Sequence, residues 1–272
     1  MTTLPVIWYL LVMAESMEIR FLGTGTSHGV PMINCDCPVC RSADPRDRRN
    51  RCSAAIIAPD GGVILIDTSP ELRLSAVACD LRRADAILFT HGHADHIMGF
   101  DDIRRFNDAV GCCIPCYADG PTVAHLRKVF GYAELPYAKT AQYRPCATFE
   151  VMDGPREIRG LRVTPIPLLH GAMPVLGFRV GGLAYCTDVS AIPEESMAAL
   201  QGLDLLVLDA LRHTPHPTHF NVREALAVIE RLRPRRALLT HITHELMHEP
   251  TSRQLPENVG LAYDTLRVRV DL

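Results

Sequence analysis

The sequence HGHADH at residues 91–96 decides the fold, because it places three imidazoles and one carboxylate within six positions, directly after a predicted strand. These groups cannot all belong to a core, since a buried carboxylate is costly unless it is paired or bound to metal. In an exposed turn the same side chains converge on one volume, as the ligands of a divalent metal do. A solvated histidine-rich turn is the alternative. We therefore predict a metal site formed by His91, His93, Asp95 and His96.

The composition of the chain is that of an ordinary globular protein. Its 272 residues are 47% hydrophobic and 22% charged, which allows one large α/β domain or two small ones. The 28 basic and 31 acidic side chains give a net charge of −3, so the chain as a whole does not attract nucleic acid or a membrane. Nucleic acid is therefore a disfavoured partner, although a local basic patch could still bind it.

An apolar run, VIWYLLVMA at residues 6–14, precedes the first predicted strand. The run is shorter than the roughly 20 residues that a membrane-spanning helix needs, and no basic residue precedes it as in a secretion signal. We predict that residues 1–16 are an N-terminal extension and that residues 17–272 form one folded domain. The expected location is the cytoplasm, without a membrane partner, and the ten cysteines are expected to be reduced or metal-bound.

Short β-branched runs alternate with helical patterns along the chain, which predicts an α/β fold. The predicted strands lie at residues 18–22, 54–58, 63–67, 86–90, 114–117, 161–167, 177–180, 183–187, 205–209 and 237–240. The predicted helices lie at residues 70–79, 121–130, 193–200 and 221–231. The last helix is predicted most clearly, because Asn221 can cap it and Glu224 completes a capping box. The glycine pairs at residues 61–62 and 181–182 predict hairpin turns.

Further metal ligands are predicted where other strands end. His170, Asp188 and His241 each follow an apolar run, and two predicted strands end in Thr-His, at residues 90–91 and 240–241. Taken alone, a histidine or aspartate after a strand is usually a cap or a surface group. Strand ends that meet at one edge of a sheet, however, commonly form a site. The three residues therefore extend the cluster at residues 91–96.

The hexapeptide and the three later residues resemble the H-x-H-x-D-H ligand set of the metallo-β-lactamase superfamily. The resemblance implies a four-layer αββα sandwich and a site for two divalent metal ions, of zinc, manganese or iron. The residues implied to bind the first ion are His91, His93 and His170. Those implied to bind the second ion are Asp95, His96 and His241. Asp188 is implied to bridge the two ions, and Asp67 to orient a histidine ligand, with a strand-end cap as the alternative for Asp67.

A second metal site is predicted from the cysteines at residues 35–40. Cys35, Cys37 and Cys40 form C-x-C-x-x-C, a spacing at which thiolates can bind one zinc ion. His244 lies three residues after His241 and could supply the fourth ligand. The result would be a closed structural zinc site that ties this N-terminal loop to the loop of His241. Free or oxidised surface thiols are the alternative.

The cysteine triplet narrows the resemblance. Together with GTGTS at residues 23–27 and Thr-His-x-x-His at residues 240–244, it resembles the PhnP-like branch of the superfamily. This branch contains cyclic-phosphate phosphodiesterases and also PqqB-like proteins of quinone-cofactor biosynthesis. The resemblance covers residues 18–244 and implies that His219, just before the helix at residues 221–231, contributes to catalysis. It also suggests a homodimer.

Other polar and sulfur-bearing residues have two interpretations. His28, His213 and His216 are predicted to lie in solvated loops, with a role at the site as the alternative. A basic stretch is predicted to be solvated and paired with neighbouring aspartates, with phosphate binding as the alternative; it contains Arg46, Arg48, Arg49 and Arg51. The remaining cysteines are predicted to be buried thiols or small core residues, namely Cys52, Cys79, Cys112, Cys113, Cys116, Cys146 and Cys186.

The function implied by the resemblance is dinuclear metal-dependent hydrolysis of a cyclic or small phosphodiester, such as a phosphoribosyl 1,2-cyclic phosphate, by a metal-bridging hydroxide. Asp95 is expected to accept the proton of the nucleophile and His219 to protonate the leaving alkoxide. A hydrolase of another ester, a thioester, a lactone or an RNA end is one alternative, because a fold does not fix a substrate. A PqqB-like redox enzyme holding iron and a non-catalytic metal-dependent binding protein are two others.

Overall fold

Two seven-stranded sheets, packed face to face, form the middle of the molecule in the computed structural model, which describes residues 16–136 and 143–272. Helices cover the outer face of each sheet, so the architecture is the four-layer αββα sandwich that the sequence predicts. Of the predicted extension at residues 1–16, only Ser16 lies within the described residues, where it begins the first strand.

The first sheet consists of strands from the N-terminal half of the chain and the final strand. In chain order these are β1 (Ser16–Gly23), β2 (Ser53–Ile57), β3 (Val63–Ile66), β4 (Ala86–Leu88), β5 (Ile114–Ala118), β6 (Ala147–Val151) and, after the seven strands of the second sheet, β14 (Arg267–Asp271). Their spatial order is β14-β1-β2-β3-β4-β5-β6. Pairing is antiparallel from β14 to β3 and parallel from β3 to β6.

The second sheet is formed by consecutive strands of the C-terminal half. They are β7 (Arg156–Ile158), β8 (Leu161–His170), β9 (Met173–Val180), β10 (Leu183–Cys186), β11 (Leu205–Asp209), β12 (Arg236–Thr240) and β13 (Val259–Leu261). Their spatial order is the reverse of their order in the chain. Pairing is antiparallel from β7 to β10 and parallel from β10 to β13.

The helices divide between the two outer faces. Those beside the first sheet are α1 (Leu72–Ala78), α2 (Ala94–Ile97), α3 (Arg104–Val110) and α4 (Gly120–Phe130). Those beside the second sheet are α5 (Glu194–Ala199), α6 (Val222–Leu232) and α7 (His248–Ser252). The side chain of Asn221 accepts from the Glu224 N–H, and the Glu224 carboxylate accepts from the Asn221 N–H, so the predicted capping box of α6 is confirmed.

Side chains of the central strands alternate between two apolar layers. Leu65 and Ile87 pack among the helices, whereas Ile64 and Leu88 pack between the two sheets. Both faces of these strands are therefore buried, and the strands are almost continuously apolar, as expected for covered parallel strands. Polar residues are left to the strand ends. Because the parallel strands of each sheet share one direction, their carboxyl ends meet at one edge, where ligands usually bind.

All the predicted strands and helices occur, and so do the hairpins at residues 61–62 and 181–182, which join antiparallel pairs. Several elements were not predicted. Strands β7 and β13 and helix α2 have three or four residues, too few to show a hydrophobic period. Strands β6 and β14, and helices α3 and α7, were also missed. Of these, β14 does alternate, since its sequence is Arg-Val-Arg-Val-Asp.

The prediction that the cysteines are reduced or metal-bound is wrong for one pair. Cys113 and Cys146 form a disulfide, so neither is a free thiol, and Cys112 is exposed rather than buried. The disulfide joins the segments that enter β5 and β6, which are neighbours in the sheet but 33 residues apart in sequence. No local spacing could reveal this pairing. The other predicted core cysteines, Cys52, Cys79, Cys116 and Cys186, are buried.

Candidate metal-dependent active site

The predicted ligands meet at the edge where the parallel strands of both sheets end. His91 follows β4 in the first sheet, whereas Asp188 and His241 follow β10 and β12 in the second. His170 is the last residue of β8. The sequence prediction that these separate strand ends converge is therefore correct in its geometry, and both sheets contribute to one cluster.

One group of potential ligands consists of three histidines. The ligand atoms of His91, His93 and His170 all lie within 4.8 Å of one another. The ring centroids of His91 and His93 are 4.5 Å apart, and those of His93 and His170 are 5.3 Å apart. His91 and His170 are buried and His93 is exposed, so the group opens to solvent on one side.

The second group contains a carboxylate and two buried histidines. The ligand atoms of Asp95, His96 and His241 lie within 4.8 Å of one another. The Nε2 atom of His96 is 3.3 Å from Oδ2 of Asp95, and that of His241 is 3.9 Å from the same oxygen. Helix α2 brings Asp95 and His96 to the site, since its first turn begins just after His93.

Asp188 lies between the two groups. Its Oδ2 is 3.2 Å from Nε2 of His96, and its Oδ1 is 3.3 Å from Nε2 of His241. The same Oδ1 is 4.0 Å from Nε2 of His91, in the other group. A carboxylate in this position faces both sets of ligands at once, which is the geometry expected of a bridging ligand.

The donor atoms of this cluster fit metal ions. The Nε2 atoms of His91, His96 and His241 are buried, and none has a hydrogen-bond partner among the residues that the structure describes. Buried polar atoms are almost always satisfied, so such atoms in one place need an explanation. Imidazole nitrogens with carboxylate oxygens are the donor set that zinc, manganese and iron accept.

Electrostatics supports the same conclusion. Burial acts to raise the pKa of Asp188, but His241 and His96 outweigh it and hold the pKa well below its usual value. Burial likewise acts to raise the pKa of Asp95, yet the neighbouring rings of His241 and His96 outweigh it and lower the pKa. Both carboxylates therefore stay anionic in a buried site. Without bound metal, the charge of protonated His96 and His241 balances these carboxylates, and divalent cations would take over that role.

Hydrogen bonds behind the cluster fix the orientation of its rings. The Nδ1 of His96 donates to Oδ2 of Asp67 over 2.7 Å, and Asp67 also accepts from the backbone and hydroxyl of Thr90, each at 2.8 Å. The Nδ1 of His170 donates to the carbonyl of Thr218 over 2.7 Å. In both histidines Nε2 is left for a metal. The predicted role of Asp67 as an orienting residue agrees with these contacts.

Three site residues have left-handed backbone conformations. Asp67, Asp188 and His241 have φ values of 58°, 53° and 59°; Asp67 and His241 directly follow a strand, and Asp188 lies two residues after one. This conformation costs a residue with a side chain about 1–3 kcal/mol and is concentrated at functional sites. The sharp turn that it produces directs each side chain across the end of its strand. Sequence reasoning did not predict this feature, because glycine, the usual residue for such turns, is absent from these positions.

His219 lies against the predicted metal ligands. Its ring stacks on His241, with centroids 4.7 Å apart and planes 14° from parallel, and its ligand atom lies within 4.8 Å of those of His170 and Asp188. Its Nδ1 donates to Oδ2 of Asp209 over 2.7 Å. Sequence reasoning missed Asp209, although it ends β11 between two strands that carry ligands. Burial raises the pKa of Asp209.

The predicted cysteine site is also brought together. The sulfur atoms of Cys35 and Cys37 are 3.2 and 3.3 Å from Nδ1 of His244, and all four ligand atoms, including Sγ of Cys40, lie within 4.8 Å of one another. Burial acts to raise the pKa of Cys37, but hydrogen bonds from the Cys40 backbone and His244 lower it to about 6. Burial raises the pKa of Cys40 to about 11.

Three of the four arginines in the basic stretch after the triplet are paired with carboxylates, as predicted. Arg46 pairs with Asp44 and Glu249, and Arg51 pairs with Glu71. Arg49 pairs with Asp47 as predicted but is fully buried, so the expectation that it is solvated is wrong. Arg48 is exposed. The sequence could not separate these arginines, because their burial depends on a loop nearly 200 residues away.

The three remaining loop histidines, His213, His216 and His28, differ in their exposure and in the site that they lie beside. His213 is exposed, in agreement with a solvated loop. His216 is half-buried, with its ring centroid 5.2 Å from that of His219. His28 is exposed, and its ring meets that of His244 edge-on at 5.7 Å, so it lies beside the cysteine site rather than the seven-residue cluster.

The sequence from residue 63 to residue 242 matches the family described as the Beta-lactamase superfamily domain. The match spans the hexapeptide and the three later ligands, and the fold is the four-layer sandwich described above. The chain therefore belongs to this superfamily, and its fold and site define a metal-binding hydrolase. Among the described residues, no helix combines the length and apolar character needed to cross a membrane.

Within the superfamily the chain is a PhnP-like hydrolase, as the sequence predicts. A crystal structure described as a new diphosphatase from the PhnP family has a TM-score of 0.88 and 42% identity, with coverage of 96% of this chain and 99% of that one. This similarity includes both the fold and much of the sequence.

Two other relatives are similar over part of their sequence or in fold. The octanoyltransferase of Porphyromonas gingivalis is 34% identical over 262 residues, which are 94% of this chain but 52% of that protein. Zinc-bound PqqB from Methylobacterium extorquens has a TM-score of 0.73 at 21% identity, covering 92% of this chain and 99% of that one, a likeness of fold. The chain spans about half the length of the first curated relatives that it matches.

Proposed function

We propose that this hydrolase is dinuclear and cleaves small phosphodiesters, with cyclic sugar or nucleotide phosphates as the preferred class. The observation that carries the proposal is the position of Asp188 between two complete groups of ligands, with the His219–Asp209 pair beside them. The similarity to a diphosphatase of the PhnP family supports a substrate with phosphorus at the reacting centre.

The ligand groups would hold the two ions as the resemblance implies. His91, His93 and His170 form one set and Asp95, His96 and His241 the other, with Asp188 shared. The chemistry that two divalent cations supply at such a site is to lower the pKa of a water molecule and to balance the charge that develops on the phosphoryl oxygens. Zinc, manganese and iron all suit this donor set.

Asp95 would act on the attacking water. Its Oδ2 already faces His96 and His241 at 3.3 and 3.9 Å. A carboxylate in this position can accept a hydrogen bond from the water and then take up its proton. The proposed role of Asp95 is therefore to orient the water and to act as its base.

His219 would act on the leaving group. Its Nδ1 is held by Asp209, so its Nε2 is the nitrogen that can exchange a proton with substrate. When the ring is protonated, Asp209 stabilises the imidazolium, as the aspartate does in a catalytic triad. His219 can then donate the proton that a departing alkoxide requires.

The experiment that tests the proposed function is a substrate screen on protein of known metal content. Bis(p-nitrophenyl) phosphate and a five-membered cyclic phosphodiester would be compared with a diphosphate diester, a phosphomonoester and an octanoyl thioester. We expect hydrolysis of the diesters that chelation abolishes and added zinc or manganese restores. A metal-replete sample that cleaves no phosphodiester contradicts the proposal.

A second candidate is hydrolysis of an acyl thioester. The similarity over 94% of this chain to a protein named octanoyltransferase favours it, because such a protein handles acyl groups. The octanoyl thioester in the same screen distinguishes the candidates: hydrolysis of that compound alone would replace the phosphodiester proposal. A PqqB-like redox function would instead appear as bound iron with oxygen consumption.

We also propose that the three cysteines and His244 hold one structural zinc ion. Four ligands from two distant segments close the site, which is the pattern of structural rather than catalytic zinc. Cys37→Ser should release one zinc ion per chain and lower the melting temperature, with Cys79→Ser, in a buried position away from the cluster, as the control for zinc content. Unchanged zinc content and melting temperature in Cys37→Ser would refute the proposal. The suggested homodimer remains a prediction that light scattering can test.

A further inference from the structure

A cavity of about 520 Å³ adjoins the ligand cluster on the side of His93. Its walls come from the loop of residues 91–93, the start of α4 and the start of β9. Cavities of a few hundred cubic ångströms are the size that small organic ligands occupy. Because His91 and His93 border both the cavity and the cluster, a molecule could reach into both at once.

The lining of the cavity is unsuitable for a phosphate group. None of the residues that line it is a lysine or an arginine. Asp119 lines it instead, and a carboxylate repels an anion. The charged part of a phosphodiester would therefore lie at the ligand cluster, and the uncharged part would lie in the cavity.

The same lining suits a group that combines a flat ring with the hydroxyl groups of a sugar. Met173, Pro174 and Pro121 provide apolar walls, and the exposed imidazole of His125 offers a face for stacking. His125 stands close to the loop of the hexapeptide, since a Cβ added at Gly92 would come 3.1 Å from its ring. The glycine between His91 and His93 therefore leaves room for this imidazole.

Asp119 offers one carboxylate oxygen to a ligand. Its Oδ1 accepts from the backbone N–H of Thr122 over 2.9 Å and so caps α4. Within the described residues no hydrogen bond reaches Oδ2, and the side chain is half-buried. A half-buried carboxylate oxygen is a strong acceptor for the hydroxyl groups of a sugar.

We propose that this cavity binds the uncharged organic group of the substrate, that this group is of nucleoside size, and that His125 and Asp119 select it. His125 stacks on the ring and Asp119 accepts from the hydroxyls. The inference rests on the proposed function, because it concerns the part of the phosphodiester that the ligand cluster does not hold. It narrows the preferred class from cyclic sugar or nucleotide phosphates to phosphodiesters with a nucleoside-like substituent.

The test uses two substrates with one leaving group, the p-nitrophenyl esters of thymidine 5′-phosphate and of methyl phosphate. We expect kcat/KM to be at least about tenfold higher for the thymidine ester, and this preference to fall about tenfold in His125→Ala and in Asp119→Asn. Asparagine keeps the cap of α4, so Asp119→Asn should fold. Lys128→Ala, on the exposed side of α4, is the control and should keep the preference.

Two outcomes would overturn the inference. One is a wild-type enzyme with no preference for the thymidine ester. The other is a preference that survives both substitutions. If Asp119→Asn strengthened the binding of the thymidine ester, the cavity would be receiving negative charge, and the assignment of an uncharged group would be wrong.

Binding of thymidine itself separates this inference from the proposed function. Thymidine has no phosphate, so its binding, followed by saturation-transfer NMR, does not require turnover. Binding that His125→Ala weakens, in a protein that cleaves no phosphodiester, would leave the cavity assignment standing and refute the proposed function. Phosphodiester hydrolysis by a protein that does not bind thymidine would support the proposed function and refute the cavity assignment.

Discussion

Asp188 faces both groups of predicted ligands, since its oxygens lie within 4.0 Å of Nε2 atoms in each group. Asp188→Asn keeps the volume but removes the negative charge that two cations would share. We expect metal affinity and turnover to fall by roughly 100-fold or more. Metal analysis after dialysis, together with kcat/KM on bis(p-nitrophenyl) phosphate, measures both.

The control for this change is Asp153→Asn, which removes an exposed carboxylate away from the site. It should retain both metal content and activity. A fully active Asp188→Asn protein with two metals bound would show that the carboxylate is not shared between the ions.

His219 can be tested through the leaving group that it is proposed to protonate. For a substrate with an alkoxide leaving group, His219→Ala should lower kcat by about 100-fold, the usual contribution of proton transfer. For a p-nitrophenolate leaving group, which departs without a proton, the loss should be much smaller. His213→Ala, in the same loop but exposed, is the control. Equal losses on both substrates would assign His219 to metal binding or structure instead.

At the residue scale, the sequence predicted which side chains converge better than it predicted the residues that support them. The density of imidazoles at residues 91–96 favours a metal site over a solvated turn, so the cluster could be recognised from the local sequence. Asp209 could not, because a single aspartate at a strand end is common and only its 2.7 Å contact with His219 gives it a role. The left-handed φ of Asp188 and His241 could not be predicted from the sequence either, since neither residue type requires that conformation.

At the scale of elements, a buried arginine ties the cysteine loop to the loop that carries His241. Arg49 donates to the carbonyls of Thr243 and Leu246, at 3.0 and 2.7 Å, and to Asp47 at 3.0 Å. Asp47 also accepts from the backbone N–H of His248 over 2.7 Å. Residues 47–49 and 243–248 therefore form one hydrogen-bonded unit, and the second segment includes His244 of the cysteine site.

This unit predicts a large difference between two neighbouring arginines. Arg49→Met should lower the free energy of unfolding by about 3–5 kcal/mol, because it leaves Asp47 buried without its charged partner. Arg46→Met should cost under about 1 kcal/mol, because its pairs with Asp44 and Glu249 are partly exposed. Urea unfolding of both variants gives the comparison. A similar decrease in the free energy of unfolding for both variants would contradict the prediction that the buried Arg49 pair is the more important one.

The elements themselves were predictable wherever a hydrophobic run was long enough. Strand β11 occurs at the predicted residues, and its neighbours differ at their ends by a residue or so. Strands β7 and β13 have three residues each, so only their pairing with β8 and β12 defines them. Strand β14 is different: its alternation was present in the sequence and was overlooked.

At the scale of the whole molecule, the site lies at the junction of the two sheets. The hexapeptide belongs to the first sheet, and His170, Asp188 and His241 belong to the second. Each ligand group combines residues from both sheets, so the apolar layer between the sheets sets how closely the ligands of one sheet approach those of the other. Sequence could predict the meeting of strand ends from the direction of parallel strands. It could not predict the disulfide between Cys113 and Cys146, which depends on the order of strands in the sheet.

A half-buried carboxylate links distant parts of the chain and should make stability depend on pH. Asp264, between β13 and β14, accepts from the hydroxyl of Thr24 over 2.8 Å and from the backbone N–H of Asn50 over 2.7 Å. Burial raises its pKa to about 7, although these hydrogen bonds oppose the rise. The folded state therefore keeps a proton that the unfolded chain releases near pH 4.

The sign of this effect follows from the raised pKa. The contribution of Asp264 to stability is complete below about pH 4 and is lost as the pH rises through about 7. The free energy of unfolding of the wild type, relative to that of Asp264→Asn, should thus fall between pH 4 and pH 8. Chemical unfolding at several pH values measures it, with the exposed Asp271→Asn as the control. A difference that does not change with pH would show that Asp264 is ionised in the folded protein.

The left-handed conformations of Asp67, Asp188 and His241 have a consequence for related sequences. Glycine adopts such a backbone without a steric penalty, so glycine at each of these positions would have a lower conformational energy than the residue that is present. The present residue is kept because its side chain is needed at the site. A homologue with glycine at one of the three positions would have an unstrained backbone there but would lack a side chain that the site needs. We expect such a homologue to be catalytically inactive.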